Sequence, residues 1–566
     1  MNMALRMRQW DCNREKIVWG IYLLLVALLV GFPFLSVNHV IDGFDIEFHL
    51  GRIAGISEGL LSGQFPVRVN PLQLDGYGMP TGIFYPDLLL YFPAILHIMG
   101  VSLLACWKIM FITIDIVTAF ICWWAFSTYA RSYRIGAIAS SFYLIGFLRM
   151  YTMYIGTSVP TVLAMAFFPA AITAIWITLH RDTSRWPLVV LFSVPIFLTH
   201  VIMSLLLIGM ALFMVAASFR HFFHREVWQA AAKAAGFTAL LTLWVYAPLL
   251  YFHRHMDYMM KQGVHRGVWD NFIFPFPQFN FYVGSSMLVL ITGLSVCMFL
   301  HRKHENMKMF LILVLASVGF LLLMRWPYPW HHALSWLGGV LQFPARLAVF
   351  PAIFLSLAAA IALESVGLAC AGKRWAVWVM TVVVCGCNFF WLFGYDYTFP
   401  LQMRQGDILP HWHRMTNTAY LEHMNQGYSS VKDYMEVATF HRMEEKPPEE
   451  RGMTTLKETS SDTRIENVVR RGNDFVFQYV SGESEWVQLP IFWYMGYVAR
   501  DVQGQLSPLR KDEDGQVSVF LPPASGRLHV FYEGLPWFHV TDLISWFSLF
   551  VFLYMVARMW KQKKNE

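Results

Sequence analysis

Between Ile41 and Val69 the chain reads IDGFDIEFHLGRIAGISEGLLSGQFPVRV, which sets Asp42, Asp45, Glu47, His49, Arg52 and Arg68 directly behind the first long apolar run. Charged groups beside hydrocarbon are costly unless they pair, reach water or serve a site. If the chain is helical from Phe44 to Leu61, Asp45, His49 and Arg52 stand at i, i+4 and i+7 and share an arc of roughly 60°. Ile46, Leu50, Ile53 and Leu60 line an apolar stripe beside them while Glu47 and Glu58 point away, so the spacing predicts a helix lying along a membrane surface. Two readings of the polar stripe are open. In one, Asp42 or Asp45 caps the helix, and His49 and Arg52 pair locally. In the other, Asp45 is a general base whose carboxylate, partly screened from water and held near a cation, takes a hydroxyl proton. His49 then orients the base or touches substrate, and Asp42 shares the proton work or helps hold a divalent metal such as Mg or Mn. Two carboxylates and one His are too few ligands to specify that metal site.

The next stretch, FPVRVNPLQLDGYGMPTGIFYPDLLLYFPAILHIMG, is dense in Gly and Pro. It predicts an ordered loop followed by a short, incompletely spanning helix from about Asp87. Pro86 and Asp87 are ordinary helix-start residues on one reading. On the other, Tyr85 and Asp87 line a substrate cavity.

These residues must be held by a membrane protein. Of 566 residues, 56% are hydrophobic and only 14% charged, and the mean hydropathy is +0.45. A soluble globular domain does not carry that balance. The net charge of +6 comes from Lys and Arg clustered in short loops between apolar runs, which reports orientation and not a nucleic-acid partner. Ile17–Ser36 is long enough to cross a bilayer. It follows Arg6, Arg8, Arg14 and Lys16 and lacks a small-residue cleavage site, so it reads as a retained first span. Further apolar runs occupy Leu103–Ala130, Ile135–Met150, Val159–Leu179, Pro187–Phe219, Ala230–Phe252, Ser285–Leu300, Met309–Met324, Leu347–Leu368, Ala376–Phe393 and Val540–Val556. With Pro187–Phe219 split near Thr199 and His200, the expectation is an all-α polytopic fold of about 12 transmembrane helices. The basic loops at Arg131 and Arg134, Arg181 and Arg185, Arg220 and Arg225, Arg302 to Lys308, Lys373 and Arg374, and the tail at Lys561 to Lys564 then share the side of the amino terminus. Both termini are expected in the cytoplasm, with residues 37–102, 253–284, 325–346 and 394–539 outside.

The outer segment after Gly394 changes character. A polar stretch ending in EEKPPEERG reads as a linker, and DFVFQYV, WVQLPIFWY, YVARDV, QVSVFL and RLHVFYEG are short β-type runs divided by turn residues. The expected domains are a transmembrane module over 1–394 with the outer loop 37–102, a linker and small antiparallel β-domain over 395–539, and a last transmembrane helix with a basic tail over 540–566. None of the seven cysteines falls in a long outer segment, so neither disulfides nor Cys-ligated zinc are expected.

GFDIEFHLGRI, GQFPVRVNP, GYGMPTGIFYPDLLLYFPAIL, LTHVIMSLL around His200 and LQFPARL around Gln342 and Arg346 resemble the GT-C class of integral-membrane glycosyltransferases. Within that class they resemble the bacterial group labelled pyruvoyl-tetrahydropterin-synthase-related membrane proteins. The resemblance extends through the outer β-domain, whose GRLHVFYEG precedes a last helix. It implies an enzyme of the bacterial inner membrane that transfers a sugar, with inversion, from a polyprenyl-phosphate donor to a cell-envelope glycan, lipid or polymer acceptor. It also implies that the catalytic acid sits in the first outer loop, here Asp45 with Asp42 as second choice. The departing lipid phosphate then needs a cation at the membrane face. Arg346 follows Pro344 and opens a span from the outer side, where its guanidinium offers forked donors to a phosphate, or else snorkels to headgroups. Arg52, Arg68 and Arg325 are further candidates, and His200 is either a ligand or a buried hydrogen-bonded core residue. Relatives commonly carry an Arg and a Gly-Glu pair before the fourth span; here MYIGTSVPTVLAMAFFP has no Glu. Two other functions suit a many-span protein with intramembrane charges: a transporter or flippase of lipid-linked glycans, and a non-catalytic cell-envelope assembly protein. The absence of an inverted repeat and the one-sided acidic loop weigh against transport.

Overall fold

A computed structural model describes residues 3–36, 40–41, 43, 45–154, 156–262, 307–326, 329–330, 332, 334, 341, 344–369, 414–415, 432–445 and 463–565. Asp42 and Gln342, the expected spans at Ser285–Leu300 and Ala376–Phe393, and the linker from Lys446 onward lie outside these residues. The chain divides into two compact units. One comprises Met1–Asp45, Lys108–Ala235 and His265–Met415, the other Ile46–Trp107, Gly236–Val264 and Thr416–Glu566.

Among the described residues, seven helices are long and apolar enough to cross a membrane: Arg14–Phe32, Leu103–Ala130, Val159–His180, Arg225–His255, Met307–Met324, Pro344–Glu364 and Pro536–Met559. An eighth span is formed if Tyr133–Ile145 and Leu148–Tyr154, bent by 42° about their junction, are counted together. The protein is therefore a multi-pass membrane protein; about 12 spans are not confirmed, two of those expected lying outside the described residues. Part of the difference is the Pro187–Phe219 run. It breaks where expected, into Trp186–Phe197 and Val201–Ala217, but at 12 and 17 residues each half is shorter than the ~20 residues a bilayer requires.

Among its described residues the first unit is helical, apart from the antiparallel pair of β1 (Val40–Ile41) and β2 (Arg414–Met415). Its core is aromatic where the first helix packs: the Phe34 ring lies 5.4 Å from Phe111 and 4.7 Å from Tyr154. The Tyr154 hydroxyl donates to the Val30 carbonyl.

The second unit builds an antiparallel β-domain from β3 (Thr463–Arg471), β4 (Asp474–Ser481), β5 (Glu485–Phe492), β6 (Tyr497–Asp501), β7 (Leu506–Ser507), β8 (Leu509–Lys511), β9 (Gln516–Leu521) and β10 (Ser525–Tyr532). One sheet runs β3-β4-β10-β6-β7 and the other β5-β9-β8. Alternation puts Phe475 and Phe477 of β4, Leu489 and Ile491 of β5, Val517 and Val519 of β9, and Leu528 and Val530 of β10 into one core. That core also takes in Val69, Leu74, Tyr77, Met79, Ile83 and Phe84 of the first outer loop. In the last helix, Leu543, Phe547, Phe550 and Tyr554 are exposed at helical spacing, the apolar stripe a lipid-facing span presents.

The first-loop helix runs Ile46–Leu61 and differs from the sequence expectation in two ways. Asp45 precedes it in a turn, so the carboxylate does not share a helical stripe with His49 and Arg52. The helix is also buried nearly all round, at Ile46, His49 to Ser57 and Gly59, where a surface helix was expected. The glycines recurring every fourth residue explain the second difference. A Cβ on Gly55 would stand 1.8 Å from Asn70 Oδ1, and one on Gly59 2.5 Å from Val67 Cγ1. These gaps admit the returning chain, and Asn70 seals it by donating from Nδ2 to the Gly51 carbonyl at 3.0 Å.

Candidate functional site

Within the second unit, Arg52 is the centre around which the first loop folds. Its side chain is 1% exposed. Nη2 donates to the carbonyls of Tyr85 and Pro86, each at 3.0 Å, and Nη1 faces Nδ1 of His49 at 3.5 Å. The guanidinium lies over the Tyr85 ring at 4.4 Å, a stacked geometry that a desolvated cation favours. Nε is buried without a hydrogen-bond partner. A guanidinium cannot shed its proton, so this buried positive charge needs nearby negative density. Two carbonyl dipoles and Asp87 supply it.

Asp87 is buried, in the turn that starts the 3-10 segment Leu88–Leu90. Desolvation pushes its carboxyl up to about 7, against the pull of Arg52 and, more weakly, Arg68. Both protonation states are therefore populated near neutrality, which suits a group that exchanges protons or yields to an incoming anion. Arg68 is held by an ion pair to Asp542 of the Pro536–Asn565 helix at 2.7 Å and lies 5.1 Å from the Phe538 ring. Tyr91 closes the group, its hydroxyl accepting the Val67 N–H at 2.8 Å. The structure thus brings together His49, Arg52, Arg68, Tyr85 and Asp87. The burial that raises Asp87 has a consequence for stability. The folded state keeps a proton that the unfolded chain releases above pH 4, so stability falls as pH rises from about 4 to about 7, by roughly 4 kcal/mol in all. Asp87→Asn is expected to abolish this slope, leaving the variant more stable than the parent at pH 8 but not at pH 4, as read by thermal unfolding across pH.

The remaining candidates belong to the first unit. Asp45 is half-buried, and its main-chain N–H donates to Oγ1 of Thr157 at 3.0 Å. Thr157 is 2% exposed and has φ of +45°, a left-handed conformation that a β-branched residue adopts only under strain. The GTSVP segment, in which no acid stands, supplies the hydroxyl that fixes the backbone of Asp45. Arg346 lies half-buried in the 3-10 turn Pro344–Ala348 that leads into the Val349–Ala369 helix, at the head of a candidate span as expected. His200 caps the Val201–Ala217 helix, its Nδ1 accepting the N–H groups of Ile202 and Met203 at 3.1 and 3.3 Å. Among the described residues no group of three or more His, Cys, Asp or Glu side chains is placed to hold a metal ion.

Sequence reasoning passed over one buried pair. Asp115, 0% exposed inside the Leu103–Ala130 span, forms an ion pair with Arg149, 1% exposed, whose Nη2 also donates to Thr118 Oγ1 at 3.2 Å. Asp115 is the only acid in that helix. A lone acid in a span is itself a signal, but its partner comes from a helix 34 residues further on.

Among solved structures, the chain is similar to ArnT from Cupriavidus metallidurans bound to undecaprenyl phosphate, at 12% identity and TM-score 0.40, covering 75% of this chain and 70% of that one. It is also similar to the oligosaccharyltransferase AglB of Archaeoglobus fulgidus in complex with an inhibitory peptide and a dolichol-phosphate, at 14% identity and TM-score 0.36, covering 76% of this chain and 58% of that one. The oligosaccharyltransferase of Archaeoglobus fulgidus in complex with Zn and sulfate matches at 12% identity and TM-score 0.37, covering 73% and 58%. The chain thus spans less than two thirds of the oligosaccharyltransferases. No curated protein matches in sequence. None of these matches bears on the pyruvoyl-tetrahydropterin-synthase-related group that the motifs resemble. A family model does match, over residues 2–451, and since that is well over half of the chain, the protein belongs to the family of unknown function DUF6541.

Proposed function

We propose that the protein is a GT-C-type glycosyltransferase of the bacterial inner membrane. It moves a sugar from a polyprenyl-phosphate carrier to the hydroxyl of an extracytoplasmic glycan, lipid or polymer. The observation that carries this reading is the position of Asp45: a half-buried carboxylate directly behind the first span, whose backbone is tied by a strained, buried threonine. Strain kept at one residue to fix another is characteristic of functional sites.

The acceptor oxygen attacks the anomeric carbon from the face opposite the phosphate, and its proton passes to the Asp45 carboxylate. The new C–O bond forms as the bond from the anomeric carbon to the phosphate oxygen breaks, and the electron pair leaves with the polyprenyl phosphate. Attack opposite the leaving group inverts the anomeric centre. Arg346, at the head of its span, receives the phosphate charge with forked donors. Asp45 returns its proton to water before the next turnover.

The test uses the purified full chain in lipid nanodiscs with a panel of undecaprenyl-phosphate monosaccharides and an extract of cell-envelope glycans and lipids as acceptor, and mass spectrometry of the lipid products. Release of undecaprenyl phosphate from at least one donor is the expected result. Uncleaved donor across the panel, with the same lipids crossing between leaflets of proteoliposomes, would replace this reading by that of a transporter.

A further inference from the structure

The segment Val69–Pro80 carries no helix and only one isolated bridge, between Asn70 and Met79, yet it is largely buried. Its carbonyls must find donors, and four of them find them in the β-domain. Asn473 Nδ2 donates to Val69 O at 3.3 Å, Arg470 Nη2 to Gly76 O, the Phe492 N–H to Tyr77 O at 2.9 Å, and the Tyr494 hydroxyl to Gly78 O at 3.1 Å. The Tyr77 and Phe492 rings stack at 4.7 Å and 20°. Gly78, at φ +88°, leaves no room for a side chain, since a Cβ there would stand 2.7 Å from Asn473 Oδ1. Further along, Phe84 stacks on Tyr434 at 5.4 Å, and the next carbonyls, of Tyr85 and Pro86, are those that Arg52 holds.

We infer that the β-domain sets the geometry of the first-loop site, with Asn473 and Tyr494 as positioning residues that fix the carbonyls of Val69 and Gly78 and thereby seat Tyr85, Pro86 and Asp87 against Arg52. That this cluster serves sugar transfer rests on the function proposed above. The clamp itself does not, and it is tested without the reaction. The two residues stand 404 and 416 positions from the carbonyls they hold, so the amino- and carboxy-terminal parts of the chain complete one site. The cations acting on Asp87 are Arg52 and Arg68, and its own charge is felt at Tyr91; His49, which faces Arg52, is controlled for by a His49→Gln background.

The experiment compares the full-length protein with Tyr494→Phe, which removes one hydroxyl, and with Asn473→Ala. Hydrogen exchange over residues 77–87 and the pH dependence of thermal unfolding are both measured. Loss of one buried hydrogen bond is expected to speed exchange there about fivefold. Water then reaches Asp87, and the upper end of the pH range over which stability falls moves downward from about 7, while unfolding at pH 5 is little changed for Tyr494→Phe. Unaltered exchange in Tyr494→Phe, or faster exchange with the fall still at the parent's pH, would overturn the positioning role. Binding of undecaprenyl phosphate, measured in parallel, separates the two claims. If the parent binds none, the proposed function fails, while the exchange and pH results still decide the clamp.

Discussion

Asp45→Asn is expected to leave the protein folded and able to bind undecaprenyl phosphate, while lowering sugar transfer roughly 10²- to 10⁴-fold, the usual contribution of a positioned general base. The size follows from what is removed. Asn keeps the shape and the main-chain N–H that donates to Thr157 Oγ1, so the local fold persists. The carboxylate that accepts the acceptor's proton is lost, which raises the barrier by about 3–5 kcal/mol. Transfer rates with a saturating undecaprenyl-phosphate sugar, together with unfolding temperature and lipid binding, make the comparison. A helix cap alone would give a different pattern: Asn caps a helix as well as Asp does, so stability and transfer would both stay unchanged. The general-base and capping readings of the sequence are thereby separated.

The second large effect concerns stability. Asp115 and Arg149 neutralise each other where neither reaches water, and removing one partner of a buried pair costs about 3–5 kcal/mol. The two halves of the pair are not equivalent. A lone carboxyl in apolar surroundings can neutralise itself by taking a proton, whereas a guanidinium stays charged. Asp115→Leu is therefore expected to destabilise more than Arg149→Met. The double variant should recover most of the loss, since two apolar groups replace the pair without an orphaned charge. Unfolding temperature in detergent and the yield of monodisperse protein report all three. Equal losses for both single variants, with no recovery in the double, would show that the residues act independently.

Much of the architecture is legible because bilayers and sheets impose short-range periodicities. Uninterrupted apolar runs give spans such as Leu103–Ala130, and β-branched alternation between turn residues gives β4, β5, β9 and β10. The helix break at Leu198–His200 is visible as a polar pair between apolar halves. The span count is not legible in the same way, because composition does not show that the Pro187–Phe219 run breaks into helices of only 12 and 17 residues. Asp45, His49, Arg52, Arg68 and Asp87 stand out in the sequence because charge is placed next to an apolar run. Their arrangement does not. Asp45 sits before the helix and not within it, and Arg52 turns into protein to hold two carbonyls, because Gly51, Gly55 and Gly59 let Asn70 and Val67 approach. Long-range partners leave no local trace: Asp542 for Arg68, Arg149 for Asp115, and the donors of Asn473 and Tyr494 for the first loop are each fixed only by the tertiary fold. Thr157 was hidden for another reason, since a left-handed backbone at a β-branched residue is the opposite of what propensity suggests.

The account depends most on Asp45 and Arg346 meeting the same donor. The most direct measurement is a cryo-electron microscopy map of the Asp45→Asn variant in nanodiscs with an undecaprenyl-phosphate monosaccharide bound. The predicted result is phosphate density within about 4 Å of the Arg346 guanidinium, with the sugar directed so that its anomeric carbon is open to attack from the side of residue 45. Phosphate density held elsewhere, with residue 45 facing bulk solvent, would contradict it.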